Sequence, residues 1–161
     1  MRSYLLSWLS KKHRGATLEA FAAAEPSSWV VWEAGPWRPP TRSRDTIVSQ
    51  PDMPRLESGE SLAIQLVARD GGTSVTLGRD AENDVVIDDA TLSRAHMRFE
   101  RAAGGSWTVR DLGSSNGTRV DGVKLREEAA PVRSGSSIEA GAVRLTFYDP
   151  AGLLLRLRAV A

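Results

Sequence analysis

Between Leu62 and Tyr148 the chain is a succession of short apolar, β-branched segments cut at intervals by turn-forming residues. The segments run Leu62 to Val67, Ser74 to Leu77, Val85 to Ile87, Met97 to Glu100 and Trp107 to Arg110. They continue with Arg119 to Val120, Val123 to Leu125, Ser137 to Ile138 and Val143 to Tyr148. Asp70-Gly71-Gly72, Gly104-Gly105, Asn116-Gly117 and Asp121-Gly122 lie between them. Glycine, and less freely asparagine and aspartate, adopt the left-handed backbone of tight hairpin turns, so these spacings specify strand, turn, strand. The segments are too short for helices, and several alternate at period two. No internal repeat of roughly 20–50 residues is apparent. Many short strands with regular turn chemistry build a sandwich or a barrel, and the expected class is all-β.

The chain changes character near residue 60. Four of the five tryptophans (Trp8, Trp29, Trp32 and Trp37) lie before it. Tyr4, Leu5, Trp8 and Leu9 recur at three- and four-residue spacing, which predicts a short amphipathic helix stopped by Gly15 after a basic last turn. Thr17 is placed to cap a second helix over Leu18 to Ala24, closed by Pro26. Trp29-Val30-Val31-Trp32 is β-prone and predicts a strand or an extended segment pressed on a surface. Gly35-Pro36-Trp37-Arg38-Pro39-Pro40 turns and extends, and Pro51 and Pro54 mark a linker. The expected division is a helical, Trp-rich appendage over 1–40, a linker over 41–60 and the main domain over 61–161, with residues 150–161 as its C-terminal segment. On that division, removal of residues 1–55 leaves the main domain working. Leu155-Arg156-Leu157-Arg158 alternates and reads first as a closing hairpin strand. The alternative is a short helix capped by Asp149 with Pro150 at its first position.

Composition removes several functions. The formal net charge of +1 draws the chain to no polyanion, so nucleic acid is not an expected partner, and any anion must be held by a local cluster of donors. There is no cysteine, and the two histidines, His13 and His96, lie far apart, so no metal site and no cofactor are expected. No segment approaches the roughly 18 consecutive apolar residues of a membrane span, and residues 1–14 do not follow signal-peptide order. The expectation is a cytoplasmic protein without membrane insertion.

Three polar clusters fall where strands meet loops: Leu77-Gly78-Arg79, Leu92-Ser93-Arg94-Ala95-His96, and Asp111-Leu112-Gly113-Ser114-Ser115-Asn116-Gly117-Thr118. Arginine offers a planar, permanently charged fork suited to phosphate, serine a hydroxyl donor, and asparagine a donor and an acceptor on one amide. Taken alone, Arg79 reads as a surface arginine paired with Asp80 or Glu82, and Asn116-Gly117 as a hairpin turn. Ser93, His96 and Asp111 have the residue types of a hydrolytic triad, but Leu92 and Arg94 stand where a nucleophile elbow carries glycines, and no enzymatic activity is expected.

In order and spacing, Gly78-Arg79, Ser93-Arg94-Ala95-His96 and Asn116-Gly117 resemble the G-R, S-x-x-H and N-G elements of the forkhead-associated (FHA) domain, over roughly residues 62 to 148. The resemblance implies an FHA-type antiparallel β-sandwich that binds phosphothreonine peptides and serves as a signalling adaptor for a partner phosphorylated by a Ser/Thr kinase. It implies Arg79, Ser93, Arg94, Ser115 and Asn116 as phosphopeptide-binding residues, with Gly78, His96 and Gly117 supporting them. It further implies a small pocket for the threonine γ-methyl group. Thr91, Gly113 and Ser114 are candidate readers of the residue three positions after the phosphothreonine. The alternative is a phosphate-independent structural or assembly role on the same fold. The Trp-rich N-terminal segment is a candidate surface for a second partner, and Thr41 and Thr46 are candidate phosphorylation sites.

Overall fold

The computed structural model describes residues 1–33 and 60–160. The expectations for Gly35 to Pro40, Trp37, Thr41, Thr46, Pro51 and Pro54 lie outside the described residues. Strand β1 (Ser3–Leu5) opens the chain, followed by helices α1 (Leu6–Lys12) and α2 (Leu18–Ala24) and strand β2 (Trp29–Trp32). After the undescribed segment come β3 (Leu62–Gln65), β4 (Ser74–Gly78), β5 (Val85–Val86), β6 (Met97–Arg101) and β7 (Trp107–Asp111). Then follow β8 (Thr118–Val120), β9 (Val123–Lys124), β10 (Ala130–Val132), β11 (Ser137–Ala140), β12 (Val143–Tyr148) and helix α3 (Pro150–Val160).

Among the described residues these strands form two sheets, ordered β1-β3-β2-β12-β11-β8-β9 and β10-β7-β6-β4-β5. Every pairing is antiparallel except β4 with β5. The inner faces meet in one core that includes Val30, Ile64, Leu77, Phe99, Val109, Ile138 and Leu145. A second apolar cluster lies on the other face of the larger sheet, where Trp29, Val31 and Ala63 meet Leu6 and Leu9 of α1, Phe21 of α2 and Leu153, Leu154 and Leu157 of α3. This double coverage explains the unbroken Trp29-Val30-Val31-Trp32 run. A strand buried on both faces has no polar face to alternate with.

That placement corrects the expected division at residue 61. Strand β2 lies between β3 and β12, pairing Trp32 with Leu62 on one side and with Leu145 on the other. Residues 1–33 are therefore part of the sheet and of its helical cover, and not an appendage beside it. The start of the first expected helix is also a strand: Ser3, Tyr4 and Leu5 pair with Ile64, Ala63 and Leu62 before α1 begins. Thr17 does cap α2, accepting a hydrogen bond from the Ala20 N–H at 3.1 Å.

At the C-terminus the helix replaces the preferred hairpin strand. Asp149 takes the Gly152 N–H on Oδ1 at 2.7 Å and the Leu153 N–H on its carbonyl at 2.9 Å, with Pro150 at the first helical position. Leu153, Leu154 and Leu157 are buried at helical spacing, while Leu155, which a strand would have placed with Leu157, is 65% exposed. Arg156 fixes the helix to the sheet through a fork on Glu33, at 2.7 Å and 3.1 Å, and through the Tyr148 hydroxyl at 2.8 Å. Burial alone would raise the Glu33 pKa. The Arg156 fork and the Thr146 hydroxyl outweigh it and hold the carboxyl below its ordinary value.

Candidate functional site

Strand β4 delivers Gly78 and Arg79 to one end of the sandwich. β6 begins at that end directly after the Ser93 loop, and β7 ends there in the loop that carries Asn116. Gly78 allows the first two loops to touch. A Cβ at Gly78 would overlap the Arg94 carbonyl oxygen and come within 2.9 Å of Ala95 Cα. Past that contact the Arg79 N–H donates to the Ser93 carbonyl at 3.0 Å and the Asp80 N–H to the Arg94 carbonyl at 3.1 Å. Buried Asn83 adds its side-chain amide, which donates to the Arg94 carbonyl at 2.6 Å and the Asp80 carbonyl at 2.9 Å.

His96 connects the second loop to the third. Its ring is fully buried, Nδ1 accepts from the Ser93 N–H at 3.0 Å, and Nε2 lies 2.9 Å from the Gly117 carbonyl. A ring nitrogen that accepts from an amide carries no proton, so the proton sits on Nε2 and is donated to Gly117. The ring thereby ties the Ser93 loop to the Gly117 carbonyl. The imidazole is committed to two backbone groups, and Ser93 Oγ meets the Ser115 N–H at 3.0 Å. The residues of the triad reading are thus near neighbours arranged for another purpose.

Within the third loop Asp111 organises the chain. Oδ1 accepts from the Gly113 and Ser114 N–H groups at 2.9 and 2.8 Å, and Oδ2 from the Ser114 and Thr118 hydroxyls at 2.6 Å each. Burial pushes its pKa up, but these four donors prevail and keep the carboxyl below its usual range. Gly113 and Gly117, both at φ +77°, reverse the chain at either end of the loop.

The result is an open cleft of about 400 Å³ lined by Arg79, Ser93, Arg94, Ser115 and Asn116, with Ala90, Thr91 and Ala95 beside them. The Arg79 and Arg94 side chains are exposed, and neither guanidinium has an ion pair or hydrogen bond among the described residues. The pairing of Arg79 with Asp80 or Glu82 is not formed. Since Ser93 Oγ accepts from Ser115, its hydroxyl proton is directed elsewhere. Asn116 Nδ2 donates to the Thr91 carbonyl at 2.7 Å, which leaves Oδ1 and a second N–H available. Such a cleft offers two forked cations, one hydroxyl and one amide to an anion attached to a peptide chain.

Two candidate readers fall outside this lining. Gly113 and Ser114 lie in the Asp111 turn, where the Ser114 hydroxyl donates to Asp111 and accepts from the Gly117 N–H at 2.9 Å. Thr91 lines the cleft, with its hydroxyl engaged by Asp89 and Ala142. Sequence reading did not single out Asn83 as a contributor and weighed Asp111 only as a triad member. Both act by holding loop backbone. The signal was present in Asp111-Leu112-Gly113-Ser114, an aspartate two and three residues before the amides it takes up.

Among the described residues no helix is long and apolar enough to cross a membrane. Comparison with known proteins matches residues 75–141 to the FHA domain family. The oxoglutarate dehydrogenase inhibitor of Corynebacterium diphtheriae is 40% identical over 76 residues, 47% of this chain and 51% of that one. The glycogen accumulation regulator GarA of Mycolicibacterium smegmatis is 33% identical over 99 residues, 57% of this chain and 61% of its own length. The chain thus spans between half and two thirds of these relatives. In structure it resembles the FHA domain of an Arabidopsis thaliana hypothetical protein, with a TM-score of 0.52 at 24% identity over 76% of this chain and 86% of that one. The matched residues contain the whole of the cleft, and the fold is the two-sheet sandwich of that family. Residues 75–141 of the chain thus carry an FHA domain.

Proposed function

We propose that the cleft binds a phosphothreonine peptide and that the protein works as a signalling adaptor for a partner phosphorylated by a Ser/Thr kinase. The observation that carries this reading is the pair of unengaged guanidinium groups, Arg79 and Arg94, facing one cleft with the Ser93 hydroxyl. A phosphothreonine brings about −1.5 to −2 charges and three acceptor oxygens, which these donors match. Arg79 takes the phosphate through its fork, Ser93 donates its free hydroxyl proton, and Arg94 and Ser115 add charge and a further contact. Asn116 presents Oδ1 and one N–H to the peptide main chain beside the phosphoresidue. Both named relatives are, by their names, a regulator and an inhibitor, which suits a module that acts by binding.

Calorimetry with phosphothreonine, phosphoserine and unphosphorylated versions of one peptide pool tests the proposal. Binding is expected only with phosphothreonine. Arg79→Ala is expected to weaken it by roughly 10- to 100-fold, the worth of a charge-assisted hydrogen bond of about 1.5–3 kcal/mol. Folded protein that binds no member of the pool, or binds equally well as Arg79→Ala, would instead support a phosphate-independent assembly role.

A further inference from the structure

Thr91, in the loop between β5 and β6, stands two residues before Ser93 and uses every polar group it has. Its hydroxyl donates to Asp89 Oδ1 at 2.5 Å and accepts from the Ala142 N–H at 2.8 Å. Its N–H donates to the same Asp89 oxygen at 2.8 Å, and its carbonyl accepts from Asn116 Nδ2 at 2.7 Å. One residue thereby joins its own loop, the Asn116 loop and the turn between β11 and β12. That turn is packed directly on it. Gly141, at φ +56°, has no room for a side chain, since a Cβ would run into the Thr91 side chain and lie 2.7 Å from its carbonyl oxygen.

We propose that Thr91 is a positioning residue for Asn116 and thereby sets the affinity of the cleft for peptide main chain; this rests on the phosphopeptide reading of the cleft. Asn116 is an exposed residue whose amide would otherwise sample several rotamers, and a group that must be ordered on binding weakens the complex. The Thr91 carbonyl holds Nδ2, which aims Oδ1 and the remaining N–H into the cleft. That carbonyl is held in turn because the hydroxyl is fixed from two sides, and because a β-branched side chain has few χ1 states. The phosphate-facing groups Arg79 and Ser93 receive no hydrogen bond from the Thr91 side chain. The hydroxyl therefore acts on recognition of the peptide chain and not on recognition of phosphate.

The test compares Thr91→Val, which keeps the shape and removes the hydroxyl, with Thr91→Ser, which keeps the hydroxyl. NMR of the Asn116 side-chain amide in the unliganded protein is the first readout. The valine variant is expected to move these resonances and speed their exchange with water, and the serine variant to restore them. In calorimetry Thr91→Val, which removes both hydrogen bonds of the hydroxyl, is expected to bind the phosphothreonine peptide about tenfold more weakly, and Thr91→Ser within about threefold of wild type. Inorganic phosphate, followed by shifts of the Arg79 amide, is expected to bind all three proteins alike. Two results would overturn the proposal: Asn116 resonances unmoved by Thr91→Val, or valine and serine variants that lose peptide affinity together. The NMR arm needs no peptide, so failure of the phosphopeptide reading and failure of this inference are separate results.

Discussion

Gly78 shows how narrowly one atom separates a working cleft from a disrupted one. The absent Cβ would meet the Arg94 carbonyl and Ala95 Cα, both main chain, and main chain cannot turn aside as a side chain can. Gly78→Ala is expected to destabilise the protein by about 1–3 kcal/mol, as overpacking does, and to weaken phosphothreonine-peptide binding by moving Arg79 away from Ser93. Denaturant melts beside calorimetry check it, and a variant equal to wild type in both would show that the two loops approach less closely than described. Much of this cleft was legible in the sequence, because Gly78-Arg79, Ser93 to His96 and Asn116-Gly117 are side-chain signatures in a fixed order. Asn83 was not, since it holds carbonyls of residues that are adjacent only after folding. Nor was the place of Ser114 outside the cleft lining legible, because a serine hydroxyl in a sequence carries no mark of the aspartate that will claim it.

At the level of elements, helix α3 is held by its apolar stripe, by the Arg156 contacts to Glu33 and Tyr148, and by hydrogen bonds from Ser10 to the Leu157 carbonyl and from Arg158 to the Ala16 carbonyl. Glu33 is held below its ordinary pKa against the cost of burial. Its contribution is therefore complete above the ordinary carboxylate value of 4.5 and is lost as pH falls through the lowered value. Glu33→Gln is expected to cost roughly 1–2 kcal/mol at neutral pH, with the gap to wild type closing in acid. Thermal melts from pH 7 to 3 measure this, and a gap that widens in acid would reverse the sign. The errors at this scale have physical causes. Leu155-Arg156-Leu157-Arg158 alternates like a strand, but the buried set is Leu153, Leu154 and Leu157, which belongs to a helix. Ala130–Val132 was missed because Pro131 speaks against a strand. The structure admits it because β10 is the outermost strand of its sheet, where a missing N–H costs little. Tyr4 and Leu5 have helical spacing with Trp8 and Leu9, yet pairing with β3 decides their conformation.

For the whole molecule, the position of β2 reverses the expected consequence of truncation. Deleting residues 1–55 removes β1, α1, α2 and β2, strips β12 of a partner, and uncovers Ala63, Leu153 and Leu157. The shortened protein is expected to lose cooperative unfolding and, with it, peptide binding. Circular dichroism melts decide the matter, and a sharp transition with intact binding would show that the remaining sheet is self-sufficient.

The same arrangement has a consequence for synthesis on the ribosome. Strand β2 pairs with β12, so residues 29–32 are made more than one hundred residues before their neighbours Leu145 to Tyr148. At ordinary elongation rates that interval is on the order of ten seconds. Throughout it, two tryptophans and two valines have no final partner on that edge, and no α3 to cover them. The nascent chain cannot complete its larger sheet from the front, and the last strand to emerge is the one that closes it.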